Sequence, residues 1–595
     1  MSAGGLAAAW SRELVGGLLR SGVDRVFISP GSRSTPLALA ALDLAPTECS
    51  VIVDERAAAF AALGHARWTG RPCAVIATSG SAPAHWFPAI IEADRACVPL
   101  LVISADRPIE LQEAGASQTI DQVRMFGTHV RKTFELGCPD ELALGRLSEV
   151  ALRAACAAVT PRPGPVHLNA RFRKPLEPTA QPPLALPARQ VPVLFPGRAA
   201  PSQHALRFLA EALERAERPL VVIGGGPFSA SPRVEHVRRL RDAARALGSG
   251  WAMPVVAEHT SGLLPDPEGR GAGLGAALVA GVFDGPLTPD LVLELGSHPV
   301  ASAYAAVAER AATRVVVGPE GAHDPLGNAR AFIAAEPAAL LEDLSAMSPA
   351  GGARPRHVAY ARAVERACRA AVGAVRAELG ESPAAGLDEP RAVAAFARGL
   401  PSGAVVAVGN SLAVRELESY AAHDLPAGTI VLHQRGAAGI DGLVAGAYGA
   451  RLAAEPSRAV ALLCGDVSAL HDVGSFALLR AVAAPLLIVV VNNGGGRIFE
   501  QLPIHGSLGA TSAFEELYLT PPPPGFLQHT ARAYGLAFES ASTPSEVQGA
   551  VQRAAEQRRA TVIEIVVDPS RAKDVGEAVR LAARAAAREE ASHAK

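Results

Sequence analysis

No two cysteines in this 595-residue chain are spaced as Cys-x-x-Cys, and none has a histidine close by as a partner. The seven that occur (Cys49, Cys73, Cys97, Cys138, Cys156, Cys368 and Cys464) are scattered, so metal-binding and dithiol motifs are excluded. They read as small buried hydrophobes in a reducing cytoplasm. An excess of charge of one sign is also missing. The formal net charge is −2 with 19% charged residues, which leaves no basic field for nucleic acid. Long apolar runs are absent too. The run from Ala483 to Val491 is too short to cross a bilayer and ends in polar residues, so it reads as a buried parallel strand. Met1 to Trp10 is small and apolar but lacks a basic leading stretch, and it runs into an amphipathic helix over Trp10–Arg20. Neither a signal peptide nor membrane insertion is expected.

What is present is apolar and charge-balanced. Hydrophobic residues make up 49% of the chain, and its length suits about three to five domains of ~100–200 residues. From Arg25 onward, short β-like runs (Val26–Ile28, Ser50–Val53, Cys73–Ala77, Pro99–Ser104) alternate with helical stretches, which indicates a parallel, doubly wound sheet. A Pro-rich stretch follows between Lys174 and Ser202, and a second unit opens at Leu220-Val221-Val222-Ile223. The glycines after that strand, Gly224-Gly225-Gly226, lack the third glycine of a dinucleotide fingerprint, because Ser229 stands in its place. A further break at Met347–Arg356 precedes a third α/β unit. The expected division is therefore 1–175, a linker over 176–203, a central unit over 204–346, a linker and helix over 347–375, a third unit over 376–570, and a helical tail over 571–595 that frays at the surface. No repeat is visible by motif. The fold class is α/β with three doubly wound parallel-sheet domains.

The chemistry starts at Gly465-Asp466-Val467-Ser468, a turn after a strand, followed by a helix and a second strand ending at Asn492-Asn493-Gly494-Gly495-Gly496. Asp466 offers a carboxylate oxygen, Asn493 a neutral amide oxygen, and the carbonyl near Gly495 a third hard ligand for a hydrated divalent cation against a diphosphate. The same residues are also ordinary turn chemistry. With Asn493 lying 27 positions after Asp466, the spacing resembles the signature of thiamine diphosphate enzymes.

In the first unit, Val51-Ile52-Val53 runs into Asp54-Glu55-Arg56, which places Glu55 at the carboxyl end of a parallel strand, where α/β folds put ligands. A carboxyl there could hydrogen-bond N1′ of the aminopyrimidine and favour the imino form that takes a proton from the thiazolium; the competing reading is a helix N-terminal acid. Ser29-Pro30-Gly31-Ser32-Arg33 follows the first strand, and Thr78-Ser79-Gly80-Ser81, Ala105-Asp106-Arg107-Pro108 and Gly115-Ala116-Ser117-Gln118 follow later ones. Arg33 and Arg107 are thus expected on one face of the sheet, suited to an anionic substrate.

These blocks, with Gly409-Asn410-Ser411-Leu412-Ala413-Val414-Arg415, Arg435-Gly436-Ala437-Ala438-Gly439-Ile440-Asp441-Gly442 and Arg497-Ile498-Phe499, resemble one family: the 2-succinyl-5-enolpyruvyl-6-hydroxy-3-cyclohexene-1-carboxylate synthases. The resemblance covers both outer units; the central one matches only in pattern. It implies a thiamine diphosphate-binding fold, with the cofactor's pyrimidine on the first unit and its diphosphate and Mg²⁺ or Mn²⁺ on the third. The reaction it implies is decarboxylation of 2-oxoglutarate and Stetter-type addition of the four-carbon product to isochorismate. By the same resemblance Glu55, Gln118 and Arg33 are catalytic, and Asp466, Asn493 and Gly495 hold the metal. Ser32, Arg33, Arg107, Gln118, Ser411, Arg415, Ile498 and Phe499 face the substrates. Glu55, Ser411, Arg435, Ile440, Gly465, Asp466, Val467, Ser468, Asn493 and Gly495 hold the cofactor, Ile440 from beneath. With Glu55 and the metal motif in different units, the resemblance further implies an active site shared between two subunits of a homodimer or homotetramer.

Three positions depart from the family pattern. Val300-Ala301-Ser302-Ala303-Tyr304 stands where family members commonly carry a Lys or Lys-Arg pair for isochorismate, His85 replaces a common Asn, and Gly494 replaces a frequent third Asn. A related thiamine diphosphate decarboxylase or carboligase with another acceptor, and a non-catalytic binding protein on the same fold, are the competing readings.

Overall fold

The computed structural model describes residues 3–177, 195, 197–225, 233–263, 272–319, 323–380 and 386–592. Most of the Pro-rich linker and the fingerprint position Ser229 lie outside the described residues.

Apolar runs bounded by turns form three six-stranded sheets in which every pairing is parallel. The first contains β1 (Val26–Ile28), β2 (Cys49–Val51), β3 (Cys73–Ala77), β4 (Leu100–Asp106), β5 (Thr133–Glu135) and β6 (Pro165–Arg171), in the order β2-β1-β3-β4-β6-β5. The central sheet contains β7 (Pro219–Ile223), β8 (Val255–Ala257), β9 (Ala272–Gly273), β10 (Leu291–Leu295), β11 (Thr313–Val317) and β12 (Ala331–Ile333), in the order β12-β11-β10-β7-β8-β9. The third contains β13 (Val405–Val408), β14 (Ile430–His433), β15 (Val460–Gly465), β16 (Leu486–Asn492), β17 (Ala537–Ala541) and β18 (Ala560–Val566), in the order β14-β13-β15-β16-β18-β17. The outer sheets therefore share one topology and the central sheet has another. β3, β4, β15 and β16 are buried almost throughout, as strands covered by helices on both faces must be.

Strand order reverses between β1 and β3 in the first sheet and between β13 and β15 in the third, and ligands of open α/β sheets bind in the crevice outside such points. In the central sheet the corresponding point, between β7 and β10, is filled by its own backbone. Ser297 N–H donates to the Gly225 carbonyl at 2.8 Å, and a Cβ on Gly224 would collide with the Ser297 carbonyl. The two glycines admit this packing rather than a phosphate.

The outer units pack on each other through the helices Glu55–Thr69 and Leu443–Ala453. They meet backbone to backbone: a Cβ on Gly64 would strike the Gly446 carbonyl, and one on Gly449 would strike the Ala61 carbonyl. The helix Pro355–Glu378 joins the central and third units, and the C-terminal helix Ala572–Ser592 packs along it. Val579, Ala583 and Ala587 of that last helix are buried, so it is part of the core rather than a frayed surface tail. The first helix begins at Ala3, earlier than the amphipathic pattern predicts, because the small residues before Trp10 also support a helix.

Candidate active site

The turn after β15 is centred on Asp466, which opens the helix Asp466–His471 and is 1% exposed. Its Oδ1 accepts from Val467 N–H and its Oδ2 from Gly495 N–H, each at 2.8 Å. Burial pushes the Asp466 carboxyl up to about 6, against these backbone hydrogen bonds, so a cation beside it would be strongly favoured. Asn493, 5% exposed, donates Nδ2–H to Glu389 Oε1 at 2.9 Å, while its Oδ1 is buried and has no protein partner. Gly495 needs its glycine, with φ at 127° and the Leu519 carbonyl where a Cβ would stand; its own carbonyl accepts Arg497 N–H at 2.8 Å. Above Gly465 a Cβ would meet nothing within 4 Å, which leaves room for a polyanion.

These features fit the expected cation. One carboxylate, one uncommitted amide oxygen and one backbone carbonyl are hard donors, and a bound diphosphate would complete the shell. Among the described residues no group of three or more His, Cys, Asp or Glu side chains is arranged to hold a metal by itself. Val467 and Ser468 line the same turn, with Ser468 buried.

Ser411 lies after β13, at the same reversal of strand order. Its backbone has φ 65° and ψ −129°, a conformation a non-glycine residue adopts only when its surroundings impose it, and such strain collects at functional sites. The Ser411 carbonyl accepts Arg415 Nη1–H at 2.7 Å. Asn410 fixes the neighbouring segment: its Nδ2 donates to the carbonyls of Gln434 (2.8 Å) and Gly439 (2.6 Å), and its Oδ1 accepts Arg435 Nη1–H at 2.8 Å. Ile440 is half-buried and belongs to none of the core clusters, unlike an ordinary core aliphatic. Ile498 and Phe499 are half-buried in the short helix Arg497–Gln501, with the Phe499 ring 5.1 Å from that of Tyr518.

In the first unit, Asp54 rather than Glu55 caps the helix Glu55–Thr69. Glu55 is half-buried and makes no hydrogen bond or ion pair among the described residues, which is not the behaviour of a capping acid. Arg33 and Arg107 are tied to neighbouring strand ends. The Phe172 carbonyl accepts Arg33 Nη1–H at 2.6 Å, Phe172 N–H donates to the Asp106 carbonyl at 3.0 Å, and Asp106 Oδ1 accepts Arg107 N–H at 2.7 Å. Both arginines thus hang on the ends of β4 and β6, with Arg33 only 3% exposed. Ser32 is exposed beside it. Gln118 is exposed, holds φ at 57° and donates Nε2–H to the Ser79 carbonyl at 3.1 Å; Gly80, at φ 89°, leaves room for its side chain.

Among the described residues no hydrogen bond or ion pair joins Glu55 to Asp466. The adjacent Arg56 instead reaches Asp472 Oδ1 at 3.4 Å, beyond the far end of the helix that Asp466 begins.

Several supporting residues carry no sequence signal of their own. Gln122, fully buried, accepts Gly80 N–H at 3.1 Å and donates to the Ala105 carbonyl at 3.2 Å and Asn169 Oδ1 at 3.1 Å, tying three loops of the first site together. Glu258, at the end of β8, accepts Val300 N–H at 2.8 Å and Thr260 Oγ–H at 2.7 Å. Burial and the nearby Glu418 push its carboxyl up. Burial lowers Arg415 and Arg435, and Glu258 opposes that lowering. The segment Val300–Tyr304 carries no cation; the Tyr304 hydroxyl donates to buried Glu294 at 2.6 Å. Glu389 and Glu416 form a buried carboxyl pair next to Asn493. Burial pushes Glu389 up to about 7 and Glu416 well above the usual range.

Comparison with known proteins agrees with this geometry. Residues 10–125 match the family model described as the thiamine pyrophosphate enzyme, N-terminal TPP binding domain, and residues 418–565 match the C-terminal TPP binding domain. A 2-succinyl-5-enolpyruvyl-6-hydroxy-3-cyclohexene-1-carboxylate synthase of Sorangium cellulosum is 43% identical, over 96% of this chain and 94% of its own. Those of Rubrobacter xylanophilus and Myxococcus xanthus are 36% and 35% identical, covering 94% and 98% of this chain and 95% and 98% of their own. With a thiamine pyrophosphate-binding domain matched in each outer unit and relatives aligned along nearly its whole length, the chain belongs to the 2-succinyl-5-enolpyruvyl-6-hydroxy-3-cyclohexene-1-carboxylate synthase family of thiamine diphosphate enzymes.

Proposed function

We propose that the protein decarboxylates 2-oxoglutarate and adds the resulting succinyl-semialdehyde unit to isochorismate, giving 2-succinyl-5-enolpyruvyl-6-hydroxy-3-cyclohexene-1-carboxylate for menaquinone biosynthesis. The observation that carries the reading is the uncommitted, buried Oδ1 of Asn493 beside Asp466. Asp466, Asn493 and the Gly495 carbonyl would hold Mg²⁺ or Mn²⁺ and, through it, the diphosphate. Thiamine diphosphate, when bound, supplies the acidic carbon and the electron sink of the reaction.

The protein's part is to bind, orient and exclude water. Glu55, free of other partners, would hold a proton at N1′ of the aminopyrimidine. Ile440 would support the cofactor from below, and Ile498 and Phe499 would form an apolar wall. Substrate carboxylates fall to Arg33, Arg107 and Arg415, which fork onto carboxylates, with Arg435 near the cofactor. Ser32, Ser411 and Gln118 add hydrogen bonds beside them. With no cation at Val300–Tyr304, the central unit contributes Glu258 near Arg415 and Arg435, where it opposes the lowering that burial imposes on both.

The same proposal makes the enzyme a cytoplasmic homodimer or homotetramer with the site between two chains. Glu55 follows the edge strand β2, and the aliphatics around it, Val51 and Val53, are 58% and 84% exposed, a surface suited to a second copy. Among the described residues no helix is long and apolar enough to cross a membrane.

The test is purified protein with 2-oxoglutarate, thiamine diphosphate and Mg²⁺, with and without isochorismate. Consumption of 2-oxoglutarate that depends on isochorismate and yields the adduct is expected. Decarboxylation with no adduct would point to another acceptor, and no turnover at all would sink the catalytic reading.

A further inference from the structure

A carboxamide that ligates a cation faces a choice that a carboxylate does not. Only its oxygen can bind the metal, yet a half-turn of the amide would present nitrogen instead. Asn493 therefore needs something to fix which end points where.

That something is visible behind it. Asn493 Nδ2–H donates to Glu389 Oε1 at 2.9 Å, and the two side chains are 5% and 4% exposed. Glu389 begins the helix Glu389–Gly399, whose N-terminus is fixed by Asp388 accepting Arg391 N–H at 3.0 Å. Glu389 makes no ion pair among the described residues, and burying a carboxyl without one is costly. The Glu389 oxygen that faces Asn493 accepts its N–H, so the amide nitrogen is held on the Glu389 side and the amide oxygen, which has no protein partner, is left on the other.

We propose that Glu389 is a positioning residue of the metal site, which locks the Asn493 carboxamide with its oxygen toward the cation. This rests on the reading that Asp466 and Asn493 hold the metal. Partners behind a metal ligand orient it in this way, and their loss typically weakens metal binding by roughly 10- to 100-fold.

The experiment is calorimetric titration of full-length, metal-stripped protein with Mg²⁺ at saturating thiamine diphosphate, alongside a thermal melt of each variant. E389A is expected to weaken Mg²⁺ binding by about tenfold or more. E389Q is expected to stay close to wild type, because the glutamine carbonyl accepts the same N–H. The decisive arm is the N493D background, where both oxygens of the new carboxylate can ligate and no orientation needs selecting. There E389A and E389Q are expected to leave Mg²⁺ binding unchanged or tighten it by removing a like charge. A wild-type Mg²⁺ affinity for E389A, or the same loss in both backgrounds, would overturn the proposal in favour of a merely structural Glu389. If N493A binds Mg²⁺ like wild type, Asn493 is not a ligand; the metal assignment then fails, and this inference fails with it.

Discussion

Asp54 Oδ1 accepts the N–H of Ala57 at 3.2 Å and so performs the helix capping that would otherwise occupy Glu55. Two adjacent acids at one helix start have thus divided their work: one satisfies the backbone, and the other keeps its carboxyl free.

Glu55→Gln is expected to keep thiamine diphosphate binding and to lower turnover by about 10²- to 10⁴-fold, the usual worth of a positioned acid–base group. Exchange of the cofactor's C2 proton, followed by NMR after quenching, checks it. A variant that exchanges at the wild-type rate would remove Glu55 from this role.

Asp466→Ala is expected to lose metal and cofactor together, since the ligand set is broken. It should also complement Glu55→Gln. If each active site joins Glu55 of one chain to Asp466 of another, refolding an equal mixture of the two inactive variants restores about a quarter of wild-type activity through mixed dimers. Each variant assayed alone gives the baseline. A mixture no more active than that baseline would place both residues of a site in one chain.

Gly446→Ala is expected to destabilise the protein by about 1–3 kcal/mol, because the added methyl has Gln434 on one side and a helix in backbone contact on the other. The melting temperature reports it. Gly465→Ala meets no neighbour in the protein, so it should spare stability and instead weaken cofactor binding.

Acid is expected to destabilise the fold before it protonates surface carboxylates. Burial holds His167 down to about 3, His236 to about 3 and His423 to about 4, below an unfolded value of 6.5. The unfolded chain therefore binds the extra protons, and stability, complete above pH 6.5, falls as pH drops toward 4. Each such histidine contributes a slope of roughly 1.4 kcal/mol per pH unit in that window. Melting curves from pH 7.5 to 4.5 should show the decline, and His167→Gln should flatten it. Equal slopes for the two proteins would refute the assignment to His167.

Much of this was legible in the order of the residues, for a physical reason. Parallel sheets covered on both faces write themselves as short apolar runs between helical stretches, and ligand turns sit where those runs stop. Gly465-Asp466 and Asn492-Asn493 end β15 and β16, so both halves of the candidate metal site are readable from local spacing. Strand order is not written locally. Nothing in the periodicity says on which side of β7 the next strand joins, so the distinct topology of the central sheet was invisible. Glu389 was hidden for another reason: 104 residues from Asn493 and next to Asp388 at a helix start, it reads as an ordinary N-terminal acid. Gln122 and Asn169 are buried polar residues whose meaning lies wholly in their partners. The tail was misread because its alanines, which look featureless in sequence, are the size that lets Ala572–Ser592 lie close against Pro355–Glu378.

The backbone contact at Gly64 and Gly446 makes the spacing of the two outer sheets independent of any rotamer. Side chains can be repacked by drift over generations; a spacer made of peptide units cannot be gradually widened. Variation among relatives should therefore collect in the central unit and at loop tips. The geometry between the helix that begins at Glu55 and the one that ends at Ala453 should be inherited nearly as a solid part.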